Sequence, residues 1–247
     1  MQINRFSITR KYEIKCKAFL PENEEPKHVI IGVHGFAGDK DSSMLKRLAN
    51  TVCKSGGALI CFDFPSHGES PVGENMLTIE NCKRDLLAVV EYTEGKYPKA
   101  QKSIFATSFG GYIALKCASH LCDFSLVLRA PAVTMPKILL DTVLKISAEN
   151  FRKAGTVRCG FERLLDLPYS FSENLNAQES VYGIKLNLPT LIIHGDLDNI
   201  VPPGDVFDFA KTQDNVNLEI INGADHRFKN RGEIEKVIDL TMDFLNI

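Results

Sequence analysis

The 247-residue sequence has no run of basic residues and no basic stripe interleaved with aromatics, and its formal net charge is −2. That excludes a nucleic-acid groove as the organising feature. No apolar run approaches the roughly 18–20 residues that cross a bilayer. The N-terminal stretch "MQINRFSITRKYEIKCKAFLP" alternates polar and apolar positions. It lacks the apolar centre and small-residue cleavage site of a secretory leader. No CxxC pair occurs, and the seven cysteines are scattered, mostly in apolar surroundings such as "ALICFDF". This odd, unclustered set argues for reduced, buried thiols in a cytoplasmic protein rather than a disulfide framework. A zinc site needs Cys or His at short spacing, and no such cluster is present. Internal repeats and low-complexity segments are missing too.

What the sequence does contain is an alternation of short apolar runs with helical patterns. "HVIIGVHG", "ALICFDFP", "KSIFA", "FSLVLRAP", "PTLIIHGD" and "VNLEIING" read as strands. Between them, "DSSMLKRLANTVCKSGG", "LTIENCKRDLLAVVEYTEGKYP", "GGYIALKCASHL" and "VFDFAKT" carry helical spacing, and "RGEIEKVIDLTMDFLNI" closes the chain as a helix. Continuous apolar strands alternating with helices predict an α/β fold with a mostly parallel sheet covered on both faces. The alternating runs at residues 5–9 and 12–19 predict an antiparallel hairpin at its edge.

The rhythm breaks after residue 130. Residues 131–187 are too long for a simple crossover and contain no strong buried strand. A structureless loop of that length is rare, so this segment is expected to form a small helical cap or lid. Residues 1–130 and 188–247 then make up the core.

In "IFATSFGGYIALK", residues 104–116, Ser108 lies between a strand and a helix among small residues. Ligands of open α/β sheets bind at the C-terminal ends of the parallel strands. A nucleophile on a sharp strand-to-helix turn needs small neighbours, and Ala106, Gly110 and Gly111 supply them. The helix beginning at Ser108 also turns its free N–H groups and positive dipole end toward whatever the serine attacks.

A serine hydroxyl needs a base. Of six histidines, His120 lies on the helix of Ser108 itself, about 18 Å along it. His28 begins a strand at the wrong end. His34 and His194 precede turn glycines, and His67 lies in "PSHGES". His226, in "GADHRF", follows the last strand and satisfies the order Ser…Asp…His. The orienting carboxylate must come from "HGDLDNIVPP". Asp196 directly follows the turn glycine and is assigned to turn N–H groups, and Asp198, further along, is assigned to His226. The oxyanion needs two N–H donors. Phe109, after the nucleophile, and Phe36, in "VHGFAGDK", are the candidates.

The ordered series "HGF", "DFPSHGES", "ATSFGG", "HGDLDNIVP", "GADHRF" resembles that of α/β-hydrolase-fold serine hydrolases along essentially the whole chain. Two positions depart from the family pattern. Ala106 replaces the first glycine of the elbow, and Pro65-Ser66-His67-Gly68 lacks the first glycine of the Asp-x-x-Gly-x-Gly-x-Ser loop. Ser70 and His67 are read as structural loop residues. "RAPAVTMP" and the inserted segment resemble small bacterial feruloyl (cinnamoyl) esterases, in which the insertion forms a lid over the acyl or aromatic group.

The expectation is hydrolysis of small acyl or hydroxycinnamoyl esters through an acyl-enzyme, with no metal or organic cofactor. The expected partner is a small-molecule ester, with neither nucleic acid nor a membrane span involved and a homodimer left open. In the lid, Leu139 and Tyr169 are the expected substrate contacts. Three alternatives stand beside this: a serine peptidase or amidase, a monoacylglycerol-type lipase, and a non-catalytic ligand-binding protein of the same fold.

Overall fold

The structure is a computed structural model, and it describes residues 1–22, 25–160 and 163–247. Ten strands and eight helices are described. In chain order the sheet strands are β1 (Gln2–Thr9), β2 (Glu13–Leu20), β3 (His28–Val33), β4 (Ala58–Phe62), β5 (Gln101–Thr107), β6 (Phe124–Arg129), β9 (Thr190–Gly195) and β10 (Val216–Ile221). They lie in the order β1-β2-β4-β3-β5-β6-β9-β10. β3 through β10 run parallel in this sheet, while β2 is antiparallel to β4 and β1 to β2. The edge hairpin therefore spans slightly more chain than its alternation suggests, and caps a parallel body.

The pleat sorts the apolar residues to two faces. Val29 and Ile31 of β3 join a core with Ile60, Ile104 and Leu126 under α2 (Ile79–Lys96) and α3 (Phe109–Cys117). Ile30 joins the opposite core with Leu59, Phe105, Val127 and Leu191 under α1 (Ser43–Lys54) and α8 (Glu233–Leu245). Burial on both faces is why these strands read as unbroken apolar runs. α1 starts where Ser42 Oγ accepts the Leu45 N–H (3.4 Å), and α2 where Thr78 Oγ1 accepts the Asn81 N–H (3.1 Å). Six of the seven cysteines are buried and all seven are free thiols; only Cys122 is exposed. Burial pushes Cys53 and Cys159 up to about 11 and Cys16 and Cys117 up to about 12.

Residues 131–187 depart from the helical expectation. They contain α4 (Met135–Ile138), a wide helical turn (Leu139–Leu144), α5 (Ala148–Ala154) and α6 (Tyr169–Asn176). They also hold a separate two-stranded antiparallel sheet, β7 (Thr156–Gly160) with β8 (Leu164–Pro168). Only one face of this hairpin is covered, through Cys159, Leu165 and Leu167. Every second residue stays polar or exposed, so the sequence offers no continuous apolar run to mark it. Two further contacts fasten the insertion to the body. Asn174 Oδ1 accepts the Ile79 N–H (2.8 Å) at the head of α2, and Arg163 Nη1 donates to the Gly68 carbonyl (2.7 Å).

Candidate active site

β5, β6, β9 and β10 are neighbours in the sheet, so the loops after their C-terminal ends converge. Ser108 is the joint between β5 and α3. Its φ is +50° and its ψ −113°, a left-handed conformation that costs a non-glycine residue about 1–3 kcal/mol. The surroundings enforce it. The Ser108 N–H donates to the Arg129 carbonyl (2.9 Å), and its carbonyl accepts from Tyr112 and Ala132 (3.1 Å each). At Gly110 a Cβ would fall 2.4 Å from the His34 carbonyl oxygen, so only glycine lets α3 enter this close to β3.

His226 reaches back from the loop after β10. Its Nδ1 lies 2.7 Å from Asp198 Oδ2, and its Nε2 lies 3.1 Å from Ser108 Oγ. With Nδ1–H donating to the carboxylate, Nε2 is left to accept the serine proton. The His226 side chain is 15% exposed and the Asp198 side chain fully buried. Asp198 is pinned in the loop after β9: Oδ1 accepts the Ile200 N–H (2.9 Å) and the Val201 N–H (2.8 Å). Burial pushes this carboxyl up, but His226, the Val201 N–H and His194 outweigh it and hold Asp198 below its ordinary range. Asp196 is exposed and turned away, with Oδ1 accepting the Gly223 N–H (2.6 Å). The two aspartates thus have different partners, the Gly223 N–H for Asp196 and His226 for Asp198.

Phe36 lies just beyond β3, in the loop whose Gly35 would bring a Cβ 3.5 Å from Ser108 Cβ. Phe109 is the first residue of α3, so its N–H is outside the helical ladder. The two rings meet edge to face at 5.9 Å. Of the insertion residues singled out from sequence, Leu139 is fully buried in the main core and presents no surface to a substrate. A helical apolar residue facing a neighbouring layer is core before it is pocket, and here packing decides. Tyr169 is half-buried, its ring edge-on to Phe151 at 5.3 Å. Another aromatic residue of the insertion lies against the Phe36 and Phe109 rings. The Phe171 ring of α6 lies tilted against Phe36 at 6.0 Å and edge-on to Phe109 at 6.2 Å. Its ring partners are on other elements, so local spacing does not show which residues it meets.

Two buried histidines brace the Phe36 loop. His67 Nε2 accepts the Ala37 N–H (3.0 Å) while its Nδ1 faces the Pro65 carbonyl (2.8 Å). His34 Nε2 accepts the Phe64 N–H (3.2 Å) while its Nδ1 faces the Gly35 carbonyl (2.8 Å). Burial pushes His67 down to about 3 and His34 to about 4, so both stay neutral and keep an accepting nitrogen. Ala37 sits at φ +57°, and the imidazole of His67 holds it there.

Beneath this loop Asp63 is fully buried. It accepts the Lys40 N–H (2.8 Å), Lys40 Nζ (2.5 Å) and the Glu69 N–H (2.8 Å). Lys40 Nζ also reaches Glu69 (2.6 Å). Burial pushes Lys40 down, but its bonds to Asp63 and Glu69 outweigh that and hold it above its ordinary value. Removing one partner of a buried ion pair strands the other, at about 3–5 kcal/mol. Asp63→Ala is therefore expected to lose stability on that scale in urea unfolding, with Asp63→Asn losing less. A loss under about 1 kcal/mol in Asp63→Ala would show that this cluster does not hold the loop.

The parallel sheet, its flanking helices and the loops gathered at its C-terminal edge are those of an α/β-hydrolase-fold serine hydrolase. A family model described as "Serine aminopeptidase, S33" matches residues 24–174, and the chain belongs to that family. A comparison with curated proteins finds no match. Among solved structures, Est1E from Butyrivibrio proteoclasticus with ferulic acid bound is similar at 23% identity and a TM-score of 0.80. The match covers 95% of this chain and 97% of that one. Alpha/beta hydrolase domain-containing protein 10 from mouse is similar at 19% identity and a TM-score of 0.77, covering 98% of both chains. An esterase domain from Rhodothermus marinus is similar at 17% identity and a TM-score of 0.74, covering 99% and 98%.

Proposed function

We propose that the chain hydrolyses small carboxylic esters through an acyl-enzyme, with Ser108 as nucleophile, His226 as base and Asp198 as its orienting acid. One observation carries this reading: the continuous line from Asp198 to His226 to Ser108 at 2.7 and 3.1 Å, ending on a strained turn at a helix N-terminus. Ser108 Oγ attacks the carbonyl carbon as His226 Nε2 takes its proton. The Phe36 and Phe109 N–H groups receive the oxyanion. As the tetrahedral intermediate collapses, the imidazolium returns the proton to the leaving alcohol, and the acyl group remains on Ser108. Water then attacks the acyl-enzyme by the same steps, releasing the acid and restoring the serine. No residue in this sequence of steps requires a cofactor.

Residues 131–187 are assigned as the cap that selects the acyl group. Support comes from Phe171, which rests against Phe36 and Phe109, the two residues assigned to the oxyanion. A partly buried Phe36 with aromatic neighbours suits a flat aromatic acyl group. The overall likeness to Est1E, solved with ferulic acid, favours hydroxycinnamoyl esters over simple acyl ones. A second reading, peptide or amide hydrolysis, is favoured by the description of the matching family. The same triad serves both.

The test is a panel of hydroxycinnamate, short-acyl and long-acyl esters beside aminoacyl anilides. Turnover of the hydroxycinnamates with anilides unhydrolysed is the expected result. Preference for the anilides would replace the ester reading with the amide one. Phe36→Ala is expected to reduce kcat/KM for hydroxycinnamates by about 10-fold or more relative to short-acyl esters, as for a pocket contact of about 1–3 kcal/mol. Tyr169→Ala is expected to change the same ratio less. Equal changes for every ester in Phe36→Ala would mean that this ring does not choose the acyl group.

A further inference from the structure

Arg129 is the last residue of β6 and opens the "RAPAVTMP" stretch, where the sequence pattern assigns it no role of its own. It is 6% exposed. Its guanidinium donates through Nη2 to the Arg227 carbonyl (2.7 Å) and, at 3.4 Å, to the His226 carbonyl. It also lies 4.6 Å over the ring of Phe228, a residue held at φ +54°. Its Nε has no partner among the described residues, and no carboxylate there lies within ion-pair distance of it. At the other end of the residue, the Arg129 carbonyl accepts the Ser108 N–H. One residue thus touches the backbone of both the serine and the histidine. Burying a cation without a carboxylate is costly, and hydrophobic packing alone would favour a neutral residue here.

We propose that Arg129 is a positioning residue: it clamps the His226 loop against Ser108 and holds a buried positive charge beside the Asp198–His226 pair. This rests on the reading of Ser108, His226 and Asp198 given above. The clamp fixes where Nε2 stands, since the loop carbonyls it binds belong to His226 and its successor. The charge has a separate effect. It opposes a second positive charge on the imidazole and favours the ionised carboxylate, so the base is kept free to accept a proton. Burial lowers the Arg129 pKa to about 10, with Asp198 and Asp225 working against that fall, and the side chain is cationic throughout the working range.

The other groups facing His226 are accounted for. Asp198 comes from the loop after β9, and His194 from the end of β9, where Nε2 donates to the Val201 carbonyl (3.1 Å) and lies 3.4 Å from Asp198 Oδ2. Burial lowers the His194 pKa, which works against a second buried charge there. Ser108 comes from the β5 joint. On the loop of His226 itself, Asp225 pairs with Lys229 (2.7 Å), and the Arg227 side chain is exposed. Arg129 is therefore the buried cation among them.

The experiment compares kcat/KM against pH for the wild type, Arg129→Met and Arg129→Lys, with fold checked by circular dichroism and thermal melting. Arg129→Met removes both clamp and charge. Its kcat should fall about 10–100-fold with KM little changed, and the acid limb of its profile should move to higher pH by about 0.5–1 unit, the size of a nearby unit charge. Arg129→Lys keeps the charge but not the planar fork. Its acid limb should stay in place while kcat still falls. A folded Arg129→Met with wild-type kcat and acid limb would overturn the proposal. So would an acid limb displaced equally in Arg129→Lys, since that would trace the effect to packing. Should Arg129→Met fail to fold, the lysine variant decides alone: wild-type kcat at every pH overturns the clamp. His226→Ala is run alongside. Full turnover there would overturn the base assignment and this proposal with it, whereas lost turnover there beside an unaffected Arg129→Met overturns this proposal only.

Discussion

Ser108→Ala is expected to abolish ester turnover in a protein that stays folded. The substitution removes one oxygen atom, the one that faces His226 Nε2 at 3.1 Å. Alanine inherits the φ of +50° with no added bulk, and the backbone bonds to Arg129, Tyr112 and Ala132 do not involve the side chain. Stability should change by no more than about 1 kcal/mol. Activity should fall by about 10⁶-fold in kcat, the scale seen when one member of such a unit is lost, with a residue of about 10³–10⁴ over water left by the oxyanion donors and binding. Fluorophosphonate labelling of the wild type and its absence in the variant would accompany this. Near-wild-type turnover in a folded Ser108→Ala would end the serine assignment, whereas a wild type with neither turnover nor labelling would leave the non-catalytic reading standing.

The second large effect separates two aspartates in one loop. Asp198→Asn should keep the fold, because an amide oxygen can still accept from Ile200 and Val201 at the positions Oδ1 now fills. Its NH₂ would then face His226 Nδ1 and donate to it. The imidazole would be forced to carry its proton on Nε2, pointing at Ser108, where it cannot act as base. A fall of about 10⁴ in kcat follows from that tautomer alone. Asp196→Asn should leave kcat within a few-fold, because Asp196 is exposed and only ties down the Gly223 N–H. If Asp196→Asn is the dead variant and Asp198→Asn the active one, the acid has been misassigned.

The body of the fold and its candidate site differ in how far local sequence reveals them. The strands were legible because both faces are covered, which makes them unbroken apolar runs. Ser108, Asp198 and His226 were legible because each follows a strand at the edge where parallel sheets place their chemistry. The β7–β8 hairpin was not, since half of its residues face solvent and its alternation is short. Leu139 shows the limit of apolar spacing, which identifies a buried face but not what it is buried against. The long-range contacts of Arg129 and His67 were illegible for one reason. Arg129 meets its loop partner 98 positions along the chain, and His67 meets Ala37 across 30, so their roles exist only after the sheet has formed.

The distribution of thiols has a practical consequence. Six sulfurs are sequestered in the two cores, and Cys122 alone faces solvent. Cys122 stands just before β6, whereas Ser108 stands just after its parallel neighbour β5. The two are on opposite rims of the sheet, separated by a strand length of about 20 Å. The natural chain therefore already carries a single addressable attachment point, set away from its chemistry. A fluorophore or a surface tether placed there would leave the mouth of the site pointing into solution.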